Sequence, residues 1–309
     1  MTWNPAHLPD LAGRTIVVTG ATAGIGYFAA EQLARAGADV VLASRSAAKL
    51  RIAETAIRGQ VPDASLRSVV IDLASFASID TAAAELSALP RLDAILLNGG
   101  VMAMSRKDTT SDGLPVLLGT HVISNVRLLA GVLPALAATA REHGTVSRIV
   151  HTSTGFVAQF PTSVDDLRRI PLTAIGAYTK AKTATEVFAF ELERRLQDAG
   201  LPVASIVTKP GVGVDAKTPE RAGIRDSTTP YRSNPYTPWA QGKDTAAWSA
   251  VRALSDEAAR GGEYYGPKTG IKGDPVLVEL NPRTATPSGD LAARVWHQLE
   301  DLAGVTLKL

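Results

Sequence analysis

Short apolar runs alternate with longer stretches of helical periodicity through the first two-thirds of the chain. Six runs rich in β-branched residues predict buried strands at positions 15–19, 39–43, 66–71, 93–97, 146–152 and 203–208. Between them, apolar residues recur at helical spacing over 25–36, 47–58, 75–89, 119–142 and 177–199. Strands that are apolar throughout suit a parallel sheet covered on both faces. The pattern therefore predicts an α/β fold with a doubly wound, Rossmann-like parallel sheet, whose ligands bind at the carboxyl ends of the strands.

Two later segments break this alternation. Residues 215–240 contain several prolines and aromatic residues but no periodicity. A long irregular segment in a compact domain is more often functional than accidental, so we expect an inserted substrate loop here. Residues 266–288 are rich in glycine and proline and lead into a last helix over 289–302, which together form a C-terminal extension. No repeat or linker divides the chain, so one domain is expected over 1–309.

Composition and charge narrow the class of protein. The chain has 32 basic and 30 acidic residues and no long basic block, so neither nucleic acid nor an anionic membrane is an expected partner. The apolar stretches are judged too short to span a bilayer, and residues 1–11 lack the features of a signal peptide, so a cytoplasmic protein is expected. The absence of cysteine excludes disulfides, thiolate metal sites and cysteine nucleophiles, and no metal site is predicted.

A glycine-rich turn follows the first predicted strand and leads directly into a helix. Glycines let the backbone turn tightly and approach a pyrophosphate, which then lies at the helix N-terminus among free N–H groups. The strand–turn–helix context favours a nucleotide site, and a turn without a ligand is the alternative. The residues of the turn expected to bind the cofactor are Gly20, Thr22, Ala23, Gly24, Ile25 and Gly26.

The spacing of these glycines resembles the glycine motif of the short-chain dehydrogenase/reductase family, which implies a nicotinamide cofactor. The end of the second strand bears on the choice between NAD and NADP. An acidic residue there would accept the ribose hydroxyls of NAD, whereas Ser44, Arg45 and Ser46 can donate to the 2′-phosphate of NADP. The sequence therefore predicts NADP(H), and a solvated arginine without a ligand is the alternative.

The resemblance implies further cofactor contacts at the ends of the later strands. They follow the third, fourth, fifth and sixth strands in turn: Asp72 and Leu73; Asn98, Gly99 and Gly100; Thr152; and Pro210, Gly211 and Gly213. A plain helix cap is the alternative for Asp72. Leu97 and Val214 depart from the family pattern, which usually has an asparagine and a hydroxyl residue at these positions.

Tyr178 and Lys182 stand four residues apart in a predicted helix, so their side chains share a face. A tyrosine with its ordinary pKa near 10 is a poor acid–base catalyst at neutral pH. A nearby ammonium group stabilises the phenolate and lowers that pKa, which is the chemical reason for the spacing. A second such pair, Tyr264 and Lys268, encloses a Gly-Pro sequence that breaks a helix, so its side chains are not expected to align.

The resemblance implies two more members of the catalytic group. The segment around the end of the fifth strand places Thr154 where the family has its catalytic serine, with Ser153 as the less favoured alternative. Both hydroxyls could instead satisfy only local backbone. His121 occupies the place of an asparagine that holds a water linked to the lysine, so it is either a proton relay or a structural histidine.

The length and the C-terminal sequence resemble most closely the retinol-dehydrogenase-like and WW-domain-oxidoreductase-like branch, which acts on hydrophobic alcohols and carbonyls. The residues expected near the site are mainly apolar, which agrees with a hydrophobic substrate. The aromatic residues among them could instead anchor loops to the core. The residues expected to line the substrate pocket are Met102, Met104, Phe156, Phe160, Ile175, Tyr231, Tyr236 and Trp239.

The activity predicted is reduction of a small-molecule carbonyl by NADPH, or the reverse oxidation of an alcohol. Tyr178 acts as the general acid or base, Thr154 orients the carbonyl, and Lys182 also holds the nicotinamide ribose. A nucleotide-binding regulator that has lost catalysis, and an epimerase or lyase on the same fold, are the alternatives. A homodimer remains open.

Overall fold

The computed structural model describes residues 3–101, 108–225 and 237–309, which form one domain around an eight-stranded sheet. The strands stand in the order β3-β2-β1-β4-β5-β6-β7-β8; all neighbours are parallel except β7 and β8, which are antiparallel. Their bounds are β1 Thr15–Thr19, β2 Asp39–Ser44, β3 Leu66–Val70, β4 Ala94–Leu97, β5 Ser147–Thr152, β6 Val203–Thr208, β7 Tyr264–Pro267 and β8 Pro275–Leu277.

Helices cover both faces of this sheet. Their bounds are α1 Gly24–Arg35, α2 Ala47–Arg58, α3 Phe76–Ser87, α4 Val116–Leu118, α5 Ser124–His143, α6 Phe156–Gln159, α7 Ala174–Asp198, α8 Lys243–Ala246, α9 Trp248–Ser255, α10 Pro282–Ala285 and α11 Leu291–Ala303. A π-helical turn, Gly119–Ile123, joins α4 to α5, and Asp215–Lys217 forms a 3₁₀ turn after β6.

Side chains of a strand point alternately to the two faces of the sheet. Because helices cover each face, the central strands are buried on both sides. Val17 of β1 packs in the core with α3, α5, α7 and α11, whereas Ile16 and Val18 pack with α1, α2 and α9. Val17 is in register with Val41 of β2 and Ile95 of β4. The doubly wound parallel sheet predicted from the continuous apolar runs is therefore confirmed, and the predicted bounds of β1, β6 and α2 match the structure.

The C-terminal third contains elements that the pattern did not predict. β7 and β8 have four and three residues and include Gly266, Pro267 and Pro275, so they carry too little periodicity to be recognised. Helices α8 and α9 were missed for the same reason of shortness. Tyr264–Pro267 forms strand β7, and Lys268 follows it. The pair therefore does not lie on a helix, as the Gly-Pro sequence predicted.

The expectation that every apolar run is too short to span a bilayer is wrong for one helical stretch. Val116–His143 is 28 residues long and apolar enough to cross a membrane by length and composition. However, 78% of its most apolar part is buried inside the domain, where it packs against the sheet, α3 and α11. Within the described residues, this stretch is a core helix.

Candidate active site

A cleft of about 350 Å³ lies at the carboxyl ends of β1 to β4. The sheet grows from β1 through β2 to β3 on one side, and β4 is then added on the other side of β1. Ligands of such sheets bind at this switch in strand order. The wall of the cleft contains most of the residues that were predicted to bind the adenosine half of the cofactor: Gly20, Thr22, Ala23, Ser44, Arg45, Asp72, Leu73, Asn98, Gly99 and Gly100.

The glycine turn is shaped so that a side chain would block it. A Cβ at Gly26 would lie 2.4 Å from the Gly20 carbonyl oxygen and 2.6 Å from Nδ2 of Asn98. Gly20 and Gly24 have φ of +69° and +58°, which favour glycine. Helix α1 begins here with no side-chain cap and no acidic residue in its first turn, so its N-terminal N–H groups suit an anion. These residues fit the pyrophosphate of a dinucleotide.

Thr19 organises the strand ends on either side of the turn. Its Oγ1 donates to the Leu96 carbonyl (3.1 Å) and accepts from the backbone N–H groups of Asn98 (3.0 Å) and Gly99 (2.9 Å). A Cβ at Gly99 would meet Leu73 at 2.6 Å, so this loop also needs glycine. These contacts hold the loop after β1 against the loop after β4, and the two loops form one side of the cleft.

The residues predicted to meet the 2′-phosphate lie at the rim. The hydroxyls of Thr22 and Ser44 are 3.1 Å apart, and Arg45 is exposed on the cleft wall. The Ser46 hydroxyl accepts from the Lys49 N–H (3.3 Å) as the N-cap of α2, so it already has a structural role. Asp72 accepts from the Ala74 N–H (3.0 Å) through Oδ1, which agrees with the alternative of a local cap.

Tyr178 lies in the first turns of α7, beside the end of β5. The Thr154 hydroxyl lies near enough to the phenol to lower its pKa. Thr154 Oγ1 also accepts from the Phe156 N–H at 3.4 Å, so its own proton is available to the tyrosine oxygen. Burial raises the pKa of Tyr178 above its usual value, and the Thr154 side chain acts in the opposite direction. Of the two hydroxyls considered at the end of β5, the structure brings Thr154 to the tyrosine.

Lys182 is held by backbone at the end of β5, and its predicted effect on the pKa of Tyr178 stays a prediction. Its Nζ donates to the Thr152 carbonyl oxygen at 2.6 Å, and this backbone contact directs the ammonium to the end of β5. The causes that shift the pKa of Tyr178 are burial and Thr154. Burial also lowers the pKa of Lys182 itself to about 8, although the nearby Glu186 carboxylate acts in the opposite direction. Thr152 Oγ1 is buried without a partner among the described residues.

A buried carboxylate that sequence reasoning missed occupies the next turn of α7. Glu186 is 1% exposed and accepts hydrogen bonds from the hydroxyls of Ser153 (2.5 Å), Tyr264 (2.9 Å) and Thr284 (2.8 Å). Burial raises its pKa, and these donors and Lys209 lower it. Its position four residues after Lys182 was the available signal, but its partners come from the residue after β5, from β7 and from α10.

His121 lies in the π-helical turn, with its ring edge-on to Tyr178 at 5.4 Å between centroids. Its Nε2 is 2.9 Å from the Val101 carbonyl oxygen, so Nε2 carries the proton, and Nδ1 is buried without a partner among the described residues. Burial, assisted by the positive charge of Lys182, lowers its pKa to about 3. The imidazole is therefore neutral at physiological pH, and its role as a relay stays a prediction.

The loop after β6 is held in place by residues that lie later in the chain. Gln241 Nε2 donates to the Pro210 carbonyl oxygen (2.8 Å), and Gln241 also pairs with Gly213 in an isolated β-bridge. A Cβ at Gly211 would lie 2.2 Å from the Ile271 carbonyl oxygen. Pro210, Gly211 and Gly213 are not part of the 350 Å³ cleft, and their contact with the nicotinamide stays a prediction.

The predicted substrate pocket is described in part. The Phe156 ring lies 6.4 Å from the Tyr178 ring and 5.4 Å from the Phe160 ring, both edge-on. Phe160, Ile175 and Trp239 are exposed. The other predicted members, Met102, Met104, Tyr231 and Tyr236, lie outside the described residues.

Known proteins resemble this chain in sequence and in fold. The sequence model of the short chain dehydrogenase family matches residues 14–223. The chain is 36% identical over 225 residues to a mouse polyprenol dehydrogenase, covering 72% of this chain and 66% of that one. It is 30% identical over 304 residues to human retinol dehydrogenase 13, covering 96% and 86%. The crystal structure of an uncharacterized protein from Mycobacterium paratuberculosis superposes over the full length of both chains with a TM-score of 0.77 at 26% identity.

The chain belongs to the short-chain dehydrogenase/reductase family, in its retinol-dehydrogenase-like branch. This membership supports an oxidoreductase that acts on a small-molecule carbonyl or alcohol with a nicotinamide cofactor. The predicted fold and family are thereby confirmed.

Proposed function

We propose that the protein is an NADPH-dependent reductase of an apolar aldehyde or ketone, with Tyr178 as its proton donor. The observation that carries the proposal is the position of Tyr178 on α7, beside Thr154 and near the end of β5, where the Thr152 carbonyl holds Lys182. This end of the sheet also carries the glycine turn. Because burial raises the pKa of Tyr178, the phenol is protonated at neutral pH and ready to give a proton to a carbonyl oxygen.

Each side chain has a defined task in this scheme. The bound nicotinamide supplies the hydride. Tyr178 donates its proton to the substrate oxygen, and Thr154 holds that oxygen and stabilises the phenolate that remains. Lys182, held at the Thr152 carbonyl, contributes positive charge beside the ribose and the phenolate. His121 closes the back of the site as a neutral ring against Tyr178.

The choice of NADPH is supported by the rim of the cleft. Ser44 stands at the end of β2 where an acidic residue would favour NAD, and the adjacent Arg45 is exposed on the cleft wall. Arg45 forms no ion pair with any residue in the described ranges, so its guanidinium is available to a phosphate.

An apolar substrate is supported by the aromatic residues near Tyr178. Phe156 borders the tyrosine, and Phe160 extends the aromatic surface outward. The relatives named for polyprenol and retinol act on long apolar alcohols, which suits such a wall. We also propose a cytoplasmic location, since the one described helix that is long enough for a membrane lies in the core.

Spectrophotometric oxidation of NADPH in the presence of a carbonyl panel tests the proposal. The panel contains retinal, a short polyprenal, an aromatic ketone and a polar sugar ketone, each also assayed with NADH. Turnover of the apolar carbonyls with NADPH, lost in Tyr178→Phe, is the expected result. Tight NADPH binding without turnover of any carbonyl would contradict it and favour a nucleotide-binding regulator.

A further inference from the structure

Lys243 lies between two loops that flank the predicted cofactor. Its Cδ is 3.7 Å from the position of a Cβ on Gly24, in the glycine turn. Its Cγ is 3.3 Å from the position of a Cβ on Gly213, in the loop after β6. Because both positions are glycine, the lysine stem can cross closely over the two backbones. Nothing in the sequence pattern links Lys243 to these turns, which lie 219 and 30 residues earlier in the chain.

The backbone of Lys243 is anchored, while its ammonium is accessible. The Lys243 N–H donates to Thr218 Oγ1 (2.9 Å), and Gln32 of α1 donates to the Asp244 carbonyl oxygen (2.9 Å). These bonds attach the start of α8 to the helix that begins at the glycine turn. The Lys243 side chain is 29% exposed, and its stem passes the glycine turn at Cδ.

In the structure, the Lys243 ammonium forms an ion pair with Asp215. Nζ of Lys243 is 2.6 Å from Oδ1 of Asp215, whose side chain is 55% exposed. An exposed pair of this kind contributes little to stability, because water screens both charges. A charge-assisted contact with a phosphate oxygen is stronger. Lys217, the nearby alternative cation, already donates to the Ala240 carbonyl oxygen (2.9 Å) and is less available.

The charge of the cleft is unevenly distributed. Among the described residues of its wall, Arg45 is the one cation, and it lies at the end of β2. The glycine turn offers N–H groups and the end of the α1 dipole but no full charge of its own. A pyrophosphate at that turn carries two negative charges, which Lys243 is placed to neutralise.

We propose that Lys243 is a pyrophosphate-binding residue that exchanges Asp215 for the cofactor. This inference rests on the proposed cofactor site. In the free protein Asp215 holds the ammonium over the glycine turn, and on binding the ammonium moves to the phosphates. Asp215 then competes with the cofactor for the same cation and repels its negative charge, which favours release.

Equilibrium titration of the full chain with NADPH and with NADH, followed by fluorescence at several salt concentrations, tests the proposal. Lys243→Met keeps the stem and removes the charge, and should weaken the binding of both nucleotides by roughly tenfold to hundredfold. Asp215→Asn removes the competitor and should tighten both by about twofold to fivefold. Lys308→Met, which removes an exposed charge near the C-terminus, is the control for net charge, and thermal unfolding checks that each variant is folded.

The double variant and the salt dependence make the result decisive. Asp215→Asn should partly restore binding in the Lys243→Met background, since it removes an uncompensated negative charge. The salt dependence of the dissociation constant should be weaker in Lys243→Met than in the unmodified protein. Equal affinities of Lys243→Met and Lys308→Met, or weaker binding in Asp215→Asn, would overturn the proposal. If the unmodified protein bound neither nucleotide, the proposed function itself would fail, so the two failures are distinguishable.

Discussion

Ser153 donates a 2.5 Å hydrogen bond to Glu186, a residue 33 positions later in the chain. This bond holds the serine hydroxyl in the buried side of the site, together with the hydroxyls of Tyr264 and Thr284. The neighbouring Thr154 has the opposite environment and reaches Tyr178. Two adjacent hydroxyls thus have different partners, which predicts that they contribute to different properties of the protein.

Thr154→Ala should lower turnover by roughly 10²-fold, since it removes the hydroxyl that holds both Tyr178 and the substrate oxygen. Thr154→Ser keeps the hydroxyl and should recover most of the activity. Ser153→Ala should retain most of the turnover and lose about 1–3 kcal/mol of unfolding free energy, because buried Glu186 loses one donor. Steady-state kinetics and denaturant unfolding of the three variants measure both effects. A larger loss of turnover in Ser153→Ala than in Thr154→Ala would show that the assignment of the hydroxyl is wrong.

Tyr178→Phe should lower turnover by about 10²–10⁴-fold, the usual contribution of a general acid. NADPH affinity should change little, because the ring that packs beside His121 and Phe156 is kept. Single-turnover kinetics and nucleotide titration separate the two quantities. Full activity in this variant would require another proton donor.

Tyr264→Phe is the matched control for that substitution. It removes the same oxygen from a 5% exposed tyrosine, and the loss of its bond to Glu186 should reduce the unfolding free energy by about 1–3 kcal/mol. Turnover at a temperature where the variant is folded should remain nearly unchanged. A loss of turnover as large as that of Tyr178→Phe would show that Glu186 and its donors take part in catalysis directly.

Arg45→Ala should weaken NADPH binding by roughly tenfold and leave NADH binding unchanged, because only NADPH carries the 2′-phosphate. Arg51→Ala, an exposed arginine on α2, removes the same charge and serves as the control. Fluorescence titration with both nucleotides measures the ratio of affinities. Preference of the unmodified protein for NADH would contradict the assignment of NADP(H).

The pH dependence of carbonyl reduction should show a single alkaline limb near pH 8. Both Lys182 and Tyr178 act in their protonated forms in the free enzyme, and the pKa of Lys182 is lowered to about 8 whereas that of Tyr178 is raised. As the pH rises, Lys182 therefore loses its proton first, and kcat/KM falls. No inflection is expected near 6.5, since the pKa of His121 is about 3. A profile of kcat/KM that is unchanged in Lys182→Met would refute this explanation.

The chain's sequence by itself determined the parts of the protein that depend on local order along the backbone. Continuous apolar runs are typical of strands buried on both faces, so the doubly wound parallel class of the sheet followed from the pattern. The glycine turn between β1 and α1 was recognisable because positive φ and close backbone approach need residues without a Cβ. Tyr178 and Lys182 share a face of α7 because helical geometry places residues four apart together.

Tertiary packing alone decided the electrostatic environment of those residues. The partners of Ser153, the contact of Lys182 with the Thr152 carbonyl, and the approach of Lys243 to Gly24 join residues at least 30 positions apart. The direction of the pKa shift of Tyr178 depends on how deeply the fold buries it, which spacing in a helix does not specify. Backbone preferences act between near neighbours in sequence, whereas desolvation and charge act through space once distant segments have packed together.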